Sequence, residues 1–215
     1  MNFNKKLLFG ALAMTLMFAS CANEESAETT AETNESTATE EMAEPATESK
    51  NFQIDPSVSK IKWKGEIAGI KDHYGFLDVK KGSFYLTDGE LVGGTFEVDM
   101  TTIAPTDENY DEKSTSEMLV GHLESADFFD VASHPTASMK IGKMKNGELE
   151  AELTIRGVTK PVKVMNVGNE WHQGKMKLFG DFVFDRQEFG VAYQNAGKDF
   201  LINDEVQISV SVTSL

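Results

Sequence analysis

The stretch Lys60-Ile-Lys-Trp-Lys-Gly-Glu-Ile67 decides the fold class. Ile61, Trp63, Gly65 and Ile67 alternate with Lys60, Lys62, Lys64 and Glu66, a period of two that separates a dry face from a wet one. Three stretches repeat it: Leu149, Ala151, Leu153 and Ile155; then Met176, Leu178, Gly180, Phe182 and Phe184; then Val206, Ile208, Val210 and Val212. Weaker runs cover about 79–87, 90–100, 136–144 and 160–167. Asp88-Gly89, Asn146-Gly147 and Gly168-Asn169 supply turn signals between runs. Eight or so strands joined by short hairpins predict an all-β antiparallel meander. A sandwich and a closed barrel both satisfy the pattern. Closure removes exposed edges, and no proline guards an edge among the best strands, which favours a barrel. One segment breaks the rhythm: Met118 to Phe129 reads as short helices crossing the sheet, although Ser116 and Leu119 make no capping box.

The rest of the 215 residues divides by charge. Residues 1–20 carry two lysines and no acid, and residues 21–50 carry nine glutamates against one lysine. Residues 51–215 keep a net charge of −9 out of the total −15, with both tryptophans and all but three of the 14 phenylalanines. About 165 residues suit one domain with its own core. The acidic balance counts against nucleic acid, whose phosphates need clustered Lys and Arg, and against electrostatic attachment to an anionic membrane.

Delivery is written at the N-terminus. Lys5-Lys6, an apolar run from Leu7 to Ala19 and the small residue Ser20 form an export signal over 1–20. Cys21 is the only cysteine, so an internal disulfide is excluded. Phe18-Ala-Ser-Cys21 resembles the lipobox of bacterial lipoproteins, with Phe18 where Leu is usual. That resemblance implies acylation of Cys21 and a membrane anchor, since several acyl chains hold where one is marginal. Ala22 in place of Asp is similar to lipoproteins sorted to the outer membrane, facing the periplasm or the cell surface. Residues 21–50, rich in Ala, Glu, Thr and Ser, cannot offset their ordering entropy by burial and predict a disordered acidic tether.

The search for chemistry returns little. His73, His122, His134 and His172 lie far apart without zinc spacing, and no phosphate loop or nucleophile elbow occurs. Asp107, Asn109 and Asp111 mimic the start of a calcium loop, but Glu112 and Met118 stand where Gly and Glu are needed. Asp127 and Asp130 lack a nucleophile or an orienting partner. A hydrolase or isomerase would need a polar cluster around His122, His134 or Arg186. What remains is an unusual supply of large apolar side chains, including Phe76. A barrel of eight strands either fills with these or holds one ligand.

Three segments resemble the YceI-like family of lipocalin-like bacterial proteins: Gly121–Val131 with His134-Pro135, Leu153–Val162, and Phe184-Asp-Arg-Gln-Glu-Phe-Gly190. Phe52–Asp55 with Ser59, and Gly82-Ser-Phe84, fit as well. The likeness spans nearly all of 51–215 and leaves out the tether, while the 104–117 loop does not map onto it. It implies an eight-stranded antiparallel lipocalin-like barrel whose apolar cavity binds polyisoprenoid chains, such as quinone or polyprenyl tails, with no catalytic activity, metal or cofactor beyond the bound lipid. Trp63, Phe84, Phe96, Phe128, Phe129, Phe182, Phe184 and Phe189 are the expected cavity residues. Asp127 and Arg186 are expected at the mouth, Arg186 pairing with Asp127 or Asp130. The alternative is a solidly packed barrel serving as an envelope interaction or stress-related module. Nothing in the sequence sets an oligomeric state.

Overall fold

The computed structural model describes residues 48–67, 70–144, 148–193 and 202–215. The expected export signal over 1–20, Cys21, nearly all of the expected tether and Asn146-Gly147 lie outside them. The strands are β1 (Ser49–Gln53), β2 (Lys60–Ile67), β3 (Lys71–Thr87), β4 (Glu90–Pro105), β5 (Thr136–Ile141), β6 (Leu149–Ile155), β7 (Val158–His172), β8 (Lys175–Asp185) and β9 (Glu205–Thr213), with one helix, α1 (Ser116–Glu124). From β2 onward every strand pairs antiparallel with its neighbour in sequence, and β9 returns to β2. The expected all-β, eight-stranded antiparallel barrel is therefore what the chain forms. β1 adds no ninth position. It pairs with Ser83–Thr87 of β3 on the flank where β2 pairs with Lys71–Asp78, so β1 and β2 share one place in the barrel, broken at Asp55–Ser59.

Three hairpins turn through residue pairs with φ positive at both positions: Asp88-Gly89 (52° and 83°), Arg156-Gly157 (51° and 74°) and Gln173-Gly174 (50° and 80°). This left-handed pair matches the twist of the flanking strands, and glycine adopts it without steric cost. Gly168-Asn169, expected as a turn, instead lies inside β7 beside a bulge between Met165 and Gly168, with Asn166 at φ 52°. Pro161 falls where β7 pairs only with β6, so its missing N–H breaks no second ladder.

β3 runs longer than the hydrophobic pattern suggests. Its start at Lys71 escapes that pattern because its first interior-facing residues are polar, Lys71 and His73, while Phe76 faces outward at 38% exposure. Tyr74 and Phe76 thus lie on the wet face, the inverse of the usual alternation.

At the β8 end of the barrel, Lys175 Nζ lies 2.8 Å from the Asp55 carboxylate, fastening the β1–β2 break to the start of β8. This contact, with bonds from the Ser57 hydroxyl and amide, holds the Asp55 carboxyl down to about 2 from its ordinary 3.8. Because the folded value is depressed, the contact stabilises the fold above the ordinary value and is lost as pH falls through about 2. Asp55→Asn is expected to show a constant stability deficit above about pH 5 that closes by about pH 2. Denaturant titrations at several pH values check this. A deficit that persists in acid would mean that the carboxylate charge is not what matters.

Candidate functional site

The barrel is filled at one end and hollow at the other. At the end carrying the Asp88-Gly89 and Gln173-Gly174 turns, Phe84, Leu86, Leu91, Leu149, Met176 and Val212 close the interior, each at most 5% exposed. Toward the α1 end the strands enclose a cavity of about 450 Å³. That lies within the range of roughly 300–1,000 Å³ typical of small-molecule sites. Its deep wall includes Phe96, Ala137 and Leu153, and its sides include Ile61, Trp63, Phe182 and Ile208. Leu119 and Leu123 of α1, followed by Phe128 and Phe129, complete the wall at the far end.

Sequence places α1 there for identifiable reasons. Thr115 in extended backbone caps the helix, its Oγ1 accepting from the Met118 amide at 3.3 Å. The cap supplies an acceptor for an otherwise orphaned N–H. Past Ser125 the chain folds back, and Arg156 Nη1 donates to the Phe128 carbonyl at 2.6 Å and to the Gly190 carbonyl at 2.9 Å. The aromatic pair Phe128–Phe129 is thereby tied to the β6–β7 turn.

Of the expected cavity residues, Trp63, Phe96, Phe128, Phe129, Phe182 and Phe184 share this wall. Phe84 and Phe189 do not. Phe84 is fully buried at the closed end, stacked on Phe52 at 5.2 Å, and Phe189 packs edge-on against Phe184 at 5.4 Å from behind. Asp127 is exposed and does not line the cavity. Arg186 does line it, but its partner is neither Asp127 nor Asp130: Nη2 bonds Asp204 at 2.8 Å. The remaining donors reach the carbonyls of Val191, Tyr193, Ile202 and Asn203. A 3-10 turn over Arg186–Phe189 points the guanidinium at the segment that returns into β9, which brings in Asp204 from 18 residues away. His122 lies edge-on to Phe128 and Tyr193, and His134 stands against Gly157, so these two and Arg186 do not gather into one polar cluster.

The sequence reading missed the polar group that does form. Asp107, with its side chain at 0% exposure, accepts from His73 Nδ1 (3.1 Å), Tyr110 Oη (2.9 Å) and the amides of Tyr74 (3.1 Å) and Asn109 (3.0 Å). Burial pushes its carboxyl up, yet these four donors together hold it below the usual carboxylate range. Burial and the Asp107 bond push the Tyr110 hydroxyl in the opposite sense, well above its ordinary value. With both Asp107 oxygens committed inside the protein, the resemblance to a calcium loop has a structural explanation: the loop's aspartate orients a histidine. His73 itself lines the cavity. The available signal was the Lys71 to His73 alternation on a strand, which looks like a wet face until the barrel is closed.

An eight-stranded antiparallel barrel with one filled end and an apolar cavity at the other is a lipocalin-like binding architecture. The chain belongs to the family of YceI-like domains, whose model matches residues 52–214. A UPF0312 protein of Pseudomonas paraeruginosa is 29% identical over 140 residues, 61% of this chain and 70% of that one. One of Vibrio cholerae is 28% identical over 149 residues, 63% and 78% of the two chains. Among solved structures, Burkholderia cenocepacia BcnA superposes with a TM-score of 0.57 at 16% identity, over 75% of this chain and 99% of that one. A polyisoprenoid binding domain from Saccharophagus degradans, implicated in plant cell wall breakdown, gives 0.53 at 9% identity over 75% and 96%. At such identities the two structures speak for the fold alone.

Proposed function

We propose that this barrel binds or carries an isoprenoid-type lipid, a quinone or polyprenyl chain, in its cavity and catalyses no reaction. The cell envelope is its place in this reading, where acylated Cys21 anchors it in the outer membrane, facing the periplasm or the surface. The observation that carries the reading is the hollow half of the barrel: about 450 Å³ walled by aromatic and aliphatic side chains from seven strands and α1. A solidly packed module would have no use for such a space, because unfilled volume forfeits dispersion contacts. The polyisoprenoid binding domain of Saccharophagus degradans, which shares the fold, supports the choice of ligand class. The family membership supports a binding role.

Native mass spectrometry of the purified protein, with organic extraction of the same sample, is expected to show a co-purifying prenyl lipid or uptake of an added one. Protein that neither retains nor takes up any long-chain prenyl compound would overturn the reading.

A further inference from the structure

We infer that His73, held by Asp107 and Tyr110, is the docking point for the polar head of the cavity's ligand, and that the head it selects is an alcoholic or phenolic hydroxyl rather than a phosphate. The inference rests on the carriage reading above and deepens it.

A carboxylate only accepts, so the nitrogen of His73 that faces Asp107 carries the proton. The tautomer of the neutral ring is thereby set: in that form Nε2 presents a lone pair, which meets no hydrogen-bond partner among the described residues. The ring is held from a second side by Tyr110, stacked at 5.3 Å, whose hydroxyl also donates to Asp107. Carboxylate, tyrosine and two backbone amides thus form a rigid support behind one acceptor atom.

Space for a head group lies beside that atom. Gly65 pairs directly across from His73 on the same interior face, and a Cβ built on Gly65 meets nothing within 4 Å. The neighbouring interior residue on β2 is Trp63, whose ring lines the cavity and whose buried Nε1 has no hydrogen-bond partner among the described residues.

The charges favour a hydroxyl. Among the described residues two cationic side chains line the cavity, Arg186 and Lys71. All five N–H positions of Arg186 face protein acceptors, four carbonyls and Asp204. Lys71 Nζ commits one of its three N–H donors to the Asn109 carbonyl at 3.2 Å, and the rest of this ammonium stands where water reaches it. A phosphate placed at His73 would meet an acceptor nitrogen backed by a buried carboxylate, whereas a hydroxyl supplies the proton that Nε2 needs.

The test uses the Trp171→Phe protein, in which Trp63 is the single tryptophan and reports on the cavity through its fluorescence. Geranylgeraniol, a geranylgeranyl hydroquinone, geranylgeranyl phosphate and a hydrocarbon of the same length are titrated. The alcohol or the hydroquinone is expected to bind about tenfold tighter than the hydrocarbon, the effect of one hydrogen bond to a buried group. Whichever of the two binds tighter separates an alcoholic from a phenolic head. In His73→Phe the ratio of hydroxyl ligand to hydrocarbon is expected to fall to about one, and Asp107→Asn is expected to lower it too. Taking the ratio removes general losses of stability. A preference that survives His73→Phe, or a phosphate that binds tighter than either hydroxyl ligand, overturns the inference. Hydrocarbon binding without any preference overturns it while leaving the carriage reading intact; failure of every chain to bind overturns both.

Discussion

Gly65→Phe is expected to reduce uptake of any long-chain prenyl compound by at least tenfold while leaving the barrel as stable as before, or more so. Gly65 lies in mid-strand on β2 with its Cβ direction opening into empty space, and it lines the cavity between Trp63 and Ile67. A phenyl ring there occupies the volume a ligand would use. In the folded state it buries apolar area, worth about 1.5–3 kcal/mol for a full side chain. Replacing glycine in a strand also removes an unfavourable entropy term of about 0.5–1 kcal/mol. Binding and stability therefore move in opposite directions, which a change that merely damages the core does not produce. Gly65→Ala serves as the graded intermediate, with a small effect on both. Thermal unfolding followed by circular dichroism, paired with ligand titration, measures the two quantities. A Gly65→Phe protein that folds normally and binds as well as wild type would show that the hollow half is not the binding site.

Arg186→Ala is expected to cost about 3–5 kcal/mol of unfolding free energy, the scale for several buried carbonyls losing their donors at about 1–3 kcal/mol each. The side chain is 4% exposed and bonds four backbone carbonyls as well as Asp204, which is 45% exposed. Truncation leaves the carbonyls without donors, and each buried one adds about 1–3 kcal/mol where water cannot reach it. Asp204, half exposed, rehydrates and adds little. Arg186→Lys keeps the charge but cannot reproduce a planar five-donor fork, so it is expected to recover only a minor part of the loss. Guanidinium titrations measure both. A loss below about 1 kcal/mol for Arg186→Ala would mean that these carbonyls are satisfied in some other way.

These two residues also mark the boundary between what could be read in the chain and what could not. Gly65 was legible as a member of the dry face of Lys60–Ile67, but nothing local distinguished a glycine that leaves a void from one that admits a neighbour. Gly75 is such a case: one strand over, its Cβ would collide with the Ala104 carbonyl. Arg186 was legible as a cation near the barrel mouth, yet its expected partners were the nearest acids by motif, Asp127 and Asp130. Asp204 follows from where the chain re-enters β9, and no short-range pattern carries that information. Gly168-Asn169 and Gln173-Gly174 are both permissive of a turn, and strand pairing across β7 and β8 puts the hairpin at the second.

Alternation at a period of two is a property of each strand by itself, so the sequence alone determined an all-β antiparallel meander and most of the aromatic side chains on its dry face, while the return of β9 to β2 that makes it a barrel is a tertiary fact. A cavity is different in kind. It is the shortfall between the volume eight strands enclose and the side chains they supply, and it depends on the register of every pair at once. Tertiary structure alone therefore decided that Phe84 fills one end and Phe96 walls the hollow of the other. For the same reason it alone placed Asp107, 34 residues from His73, behind the imidazole that faces the space.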